Sequence, residues 1–204
     1  MIFIKNLEKK LMVRVGILGS VGSGKSFVAN IFRELGFNIF SADNEVANLY
    51  KNNKILNKKI SKFFKLKLYK GKINKQELRD SLKKNPNKFR FLNKIIHPTV
   101  RKKLALFLTK FKKNKLVVLD VPLLVENKMF NFVDIFILVK TGSIPFLSRI
   151  KKRKNLDKQF LNILKKQQTS EKIKQSYADF IIYNSSKNKV KLQVKNIIDK
   201  ILLN

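Results

Sequence analysis

The run Gly19-Ser20-Val21-Gly22-Ser23-Gly24-Lys25-Ser26 constrains this chain more than any other feature. It matches G-x-x-x-x-G-K-[ST] in full. An apolar stretch, Val13–Leu18, stands directly before it. An amphipathic stretch, Lys25 to Leu35, follows, with Phe27, Val28, Ile31, Phe32 and Leu35 on one helical face and Gly36 as its stop. Glycines let the backbone curl until successive amide N–H groups converge on one anion. The helix beginning near Lys25 adds the positive end of its dipole. Strand, helix and trailing serine together favour a nucleotide site over an ordinary Gly-rich turn. In that site Gly19, Ser20, Val21, Gly22, Ser23 and Gly24 cradle phosphate. Lys25 reaches the β- and γ-phosphates, and the Ser26 hydroxyl ligates Mg²⁺.

The rest of the chain repeats the theme of short apolar runs between helical patterns. Such runs suit a parallel sheet buried on both faces. Strands are expected at Val13–Leu18, Phe37–Ser41, Leu116–Val121, Val133–Val139 and Phe180–Tyr183. From Asn44 to Phe111 no strand pattern is visible. Helices are expected there, one starting at Pro98 and burying Leu104, Phe107, Leu108 and Phe111. A parallel crossover needs only a dozen or so residues, so the surplus reads as an inserted helical subdomain, about 44–111. A stretch rich in Arg, Lys and Gln, about 143–168, reads as a lid. One domain spans 1–204, its core being about 13–43, 112–142 and 169–204.

Composition closes off several chemistries. Without cysteine there is no disulfide or thiolate metal site, and one histidine makes no His cluster. No run approaches the roughly 20 apolar residues of a membrane span, and the short apolar N-terminus lacks a signal-peptide core. A cytoplasmic protein is expected. The 46 Lys+Arg against 13 Asp+Glu give +33. Nucleic-acid binding is one reading of that charge. The other is a compositional drift toward Lys on solvated faces, and the even spread of Lys along the chain favours it. No specific nucleic-acid partner is expected, and a monomer or small homo-oligomer remains open.

The scarce acids are informative. Asp43 sits just past the second strand, where it reads as a catalytic base or a helix N-cap. Asp120 ends the third strand, where it reads as a Mg²⁺ ligand or a turn residue. A guanine-reading Asn-Lys-x-Asp motif is missing: Asn74-Lys75-Gln76-Glu77 comes nearest, with Glu in place of Asp.

At these residues the chain resembles the dephospho-coenzyme A kinases. The likeness covers the loop, Leu18 through Ser26, and Ser41-Ala42-Asp43, where the family commonly has D-A-D. It continues at His97-Pro98, at Pro122-Leu123-Leu124-Val125-Glu126, at Leu147-Ser148-Arg149 with Arg153 and Gln168, and at Ala178 through Asn184. The resemblance implies an α/β, P-loop kinase-like three-layer fold with a five-stranded parallel sheet, a helical substrate-binding insertion and a short lid. It implies ATP and dephospho-coenzyme A as partners, with transfer to the ribose 3′-hydroxyl. It assigns catalysis to Asp43, Lys25 and Arg149, nucleotide contacts to the loop, Arg153 and Asn184, and acceptor contacts to Asp43, His97, Leu123 and Glu126. Metal contacts fall to Ser26 and Asp120. Ser41 in place of the first Asp leaves Asp43 as the one base, and Ser20 in place of a loop Gly is tolerated if its φ is negative. A different nucleoside or nucleotide kinase and a nucleic-acid-binding ATPase are the competing readings.

Overall fold

The structure, a computed structural model, describes residues 11–141 and 158–203. The order begins with β1 (Val13–Leu18), α1 (Lys25–Glu34), β2 (Asn38–Ser41), α2 (Ala42–Asn52) and α3 (Lys54–Phe64). A small hairpin, β3 (Leu68–Tyr69) and β4 (Lys72–Ile73), leads to α4 (Lys75–Lys84) and the long α5 (Lys88–Lys110). Then come β5 (Leu116–Asp120), β6 (Ile135–Lys140), α6 (Lys158–Lys166), α7 (Glu171–Ser176), β7 (Phe180–Tyr183) and α8 (Lys187–Leu202).

Runs that are apolar on both faces must be covered on both, and they are. The five longer strands make one parallel sheet in the order β2-β5-β1-β6-β7. On one face Val13, Val15 and Ile17 of β1 pack with Phe32 of α1 and Val190 and Val194 of α8. On the other, Leu18, Phe40, Leu119 and Leu138 join the core of the inserted helices. Each fully buried aliphatic side chain is worth about 1.5–3 kcal/mol, so the sheet is a rigid base for the loops at its carboxyl edge. Register matters there. Ser41 pairs with Asp120, which brings the residues after β2 and the end of β5 side by side, next to the loop after β1.

Two expectations for residues 44–111 need correction. The region holds a strand pair as well as helices, joined at Lys70 and Gly71 with φ of 49° and 78°. Positive φ at both central residues is the backbone of a type I′ turn. Two-residue strands carry too little alternation to be seen in sequence. Nor does a helix start at Pro98: α5 runs straight through it. An interior proline removes one backbone hydrogen bond at a cost of about 3 kcal/mol. The buried stripe Leu92, Ile96, Val100 and Leu104 crosses that point without a break and outweighs the loss. Of the expected buried face, Leu104 is fully buried, and Phe107 and Leu108 are partly so. Phe107 also packs on Phe40, ring centroids 5.5 Å apart.

Candidate active site

The loop after β1 owes its shape to backbone that side chains would obstruct. Gly19 has φ 153°, and a Cβ there would collide with the Ser23 hydroxyl and meet the Val139 carbonyl at 2.9 Å. Ser20 keeps a negative φ, so the serine in place of glycine is accommodated. The loop is held from several sides. Ser23 N–H donates to the Ser20 carbonyl at 3.0 Å, Asn184 Nδ2 donates to the Ser23 carbonyl at 2.7 Å, and Val21 N–H donates to Gln168 Oε1 at 3.1 Å.

Lys25 curls back on its own loop, its Nζ donating to the carbonyls of Gly19 (2.7 Å) and Ser20 (3.3 Å). Burial is the main influence on its charge and draws its pKa down to about 8. Asp120, Asp43 and Glu126 pull it upward, and Lys174 pushes it down. All four groups are therefore close enough for Lys25 to feel.

A cavity of about 610 Å³ opens over the loop. Lys25, Ser26, Asp43, Asp120, Leu123 and Gln168 are among the residues lining it. A second cavity of about 260 Å³ adjoins it toward the inserted helices, with His97 and Arg101 in its wall. Asp43, Phe89, Asn93, Pro122 and Leu123 line both. Asp43 lies in the first turn of α2, with Ser41 as the N-cap. The N-cap alternative for Asp43 is thereby excluded, because Ala42 is already helical. Leu123, between the cavities, is held at φ 60°, a conformation that costs a non-glycine residue about 1–2 kcal/mol. His97 has its pKa lowered, first by burial and then by the Arg101 charge, so at neutral pH it presents an uncharged ring.

Glu126 stands apart from both cavities. Its Oε1 accepts from Thr169 N–H (2.8 Å) and Thr169 Oγ1 (3.1 Å) and lies 3.3 Å from Lys174 Nζ. Burial alone would raise its pKa. Bonds from its own and the Thr169 amide, the Lys174 charge and the Thr169 hydroxyl prevail and hold it below the usual carboxylate range. Asn184 is buried, with its amide nitrogen committed to the loop. Arg149 and Arg153 lie outside the described residues.

Residues 13–189 match the dephospho-CoA kinase family. The chain belongs to that family. Dephospho-CoA kinase of Wolbachia pipientis wMel is 37% identical over 193 residues, covering 93% of this chain and 98% of that protein. The structure of dephospho-CoA kinase from Campylobacter jejuni superposes with a TM-score of 0.66 at 25% identity, over 95% of this chain and 100% of that one. A Thermus thermophilus protein shares the fold, with a TM-score of 0.76 at 23% identity over 91% and 95% of the two chains. This member of the family is a kinase with the nucleotide-binding α/β fold that its loop announces.

Three residues in and around these cavities are not visible as candidates in the sequence of this dephospho-CoA kinase family member. Phe89 and Asn93 line both cavities from α5. Phe89, Asn93, His97 and Arg101 recur every fourth residue and so share one helical face. That signal was present, but a helix started at Pro98 cuts it in two. Lys174, buried at 3% exposure, gave no signal among so many lysines.

Proposed function

We propose that this chain transfers the terminal phosphoryl group of ATP to the ribose 3′-hydroxyl of dephospho-CoA, giving CoA and ADP. The observation that carries the reading is the position of Asp43, one carboxylate lining both the phosphate cavity and its neighbour. ATP lies along the loop from Gly19 to Ser26, its phosphates taken by backbone amides and Lys25. The acceptor occupies the second cavity, against His97 and Leu123. Its 3′-oxygen attacks the γ-phosphorus in line while the bond from that phosphorus to the β,γ-bridging oxygen breaks. Asp43 orients the hydroxyl and takes its proton.

Lys25 neutralises charge as the phosphoryl group moves, and Arg149 and Arg153 are assigned the same task. Ser26 and Asp120 line one cavity and offer hard oxygen donors. No cluster of three or more His, Cys, Asp or Glu capable of holding a metal occurs among the described residues. Mg²⁺ takes one or two protein oxygens and completes its shell with phosphate and water, so the Ser26 and Asp120 oxygens would be sufficient to hold it. When bound there, Mg²⁺ offsets the charge of the β- and γ-phosphates. Glu126 and Asn184 serve by holding other parts in place: Glu126 through Thr169 and Asn184 through Ser23.

The test is ADP release by the purified protein with and without dephospho-CoA, the product being located by mass and by 3′-phosphatase sensitivity. Release that depends on dephospho-CoA is expected. Release indifferent to it, and stimulated instead by a nucleoside or a nucleic acid, would overturn the reading.

A further inference from the structure

Lys174 is 3% exposed in a chain that keeps most of its lysines on solvated surfaces. Its Nζ lies 3.3 Å from Glu126 Oε1 but makes no aligned hydrogen bond among the described residues. Burying an ammonium with so little direct compensation costs stability, which raises the question of what the arrangement holds in place. What it holds can be followed bond by bond. Glu126 Oε1, fixed by Lys174, accepts two hydrogen bonds from Thr169. The preceding residue, Gln168, reaches the apex of the phosphate loop and accepts from Val21 N–H at 3.1 Å. Lys174, Glu126, Thr169, Gln168 and Val21 thus link α7, the segment after β5, the α6–α7 connection and the loop.

Val21 N–H is a backbone donor on the wall of the phosphate cavity, the kind of group that a phosphate oxygen takes. The Gln168 carbonyl oxygen meets it as a neutral stand-in for such an oxygen. Gln168 itself lines the same cavity, whereas Lys174 and Glu126 do not.

We propose that Lys174 is a positioning residue that acts through Glu126 and Thr169 to hold Gln168 on the Val21 amide as an internal competitor of the nucleotide phosphates. ATP gains the Val21 donor only by releasing Gln168, so the buried pair sets how tightly nucleotide binds without touching it. This rests on the loop being the ATP site.

The experiment measures ATP affinity by titration calorimetry, with no acceptor present, for the full chain and for Gln168→Ala, Lys174→Met and the double variant. Gln168→Ala is expected to bind ATP about fivefold more tightly, the net worth of one neutral hydrogen bond. Lys174→Met is expected to tighten ATP in the same direction, and the double variant to gain no more than the stronger single change, because both act on one contact. If Lys174→Met does not fold, Lys174→Met with Glu126→Gln removes the orphaned charge and takes its place. A Lys174 variant that lowers the melting temperature while leaving the ATP Kd unchanged or weaker would reduce the residue to a structural pair and overturn the proposal. Gains that simply add in the double variant would do the same. Absence of any ATP binding by the parent chain would sink the function reading, and the relay with it.

Discussion

Asn184 and Ser23 are 161 residues apart in the chain and meet through a hydrogen bond of 2.7 Å, from Asn184 Nδ2 to the Ser23 carbonyl. Asn184 N–H also donates to the Lys140 carbonyl at 2.7 Å. The residue just past β7 is thereby fixed to the end of β6 and holds the phosphate loop from behind. Both residues are buried, so solvent does not replace the bond if it is lost.

Removing that amide tests whether the loop needs outside support. Leaving a buried carbonyl short of a partner costs about 1–3 kcal/mol. Asn184→Ala should raise the KM for ATP about tenfold and lower the melting temperature by about 2–10 °C. The KM for dephospho-CoA should stay within about twofold, because the acceptor cavity is lined from other elements. An unchanged ATP KM beside the loss of stability would show that the contact braces the sheet and not the site.

Lys25 makes nucleotide binding pH-dependent. Burial draws its pKa down to about 8, and phosphate oxygens favour the charged form, so ATP raises it. Above pH 8 binding should draw a proton from solvent, with affinity falling by up to about tenfold per pH unit. Calorimetry at pH 8.5 in two buffers of different ionisation enthalpy measures that uptake. Folding carries the complementary sign. Between about 8 and the unfolded value of 10.5 the unfolded chain binds a proton that the folded one lacks, so the empty protein gains stability as pH rises through that window. Lys25→Met should lose the proton uptake, the stability gain and the phosphoryl transfer while still folding. An ATP affinity that stays flat from pH 7 to 9 in the parent protein contradicts this account.

Asp43 carries the proposed chemistry on one carboxylate, since Ser41 stands where the family commonly has another acid. Asp43→Asn keeps the shape but cannot take a proton. Loss of a general base costs about 10²–10⁴-fold, and the loose transition state of phosphoryl transfer puts the expected effect at the low end. Turnover of dephospho-CoA should fall at least about tenfold while ATP binds normally. Losing a negative charge from the first turn of α2 should lower the melting temperature by no more than about 3 °C. Normal turnover per folded molecule would place the base elsewhere.

The phosphate loop, its strand and helix, and the five buried runs were legible in the sequence because each is written in consecutive residues. A loop that must curl around phosphate needs glycine where φ is positive, as at Gly19, and a strand covered on both faces needs unbroken apolar side chains. Asp43 and Asp120 were legible as acids at strand ends, since a parallel sheet sends such ends to one edge. The hairpin at Lys70-Gly71 and the passage of α5 through Pro98 were not. The hairpin's two-residue strands are too short to show alternation, and the buried stripe of α5 outweighs the local preference of Pro98 to start a helix. Only the tertiary structure joins Asn184 to Ser23, commits Glu126 to Thr169 and Lys174, and unites Phe89 and Asn93 with Asp43. Those partners are far apart along the chain, and what brings them together is the burial of the sheet's two faces, a property of the whole fold that no single segment carries.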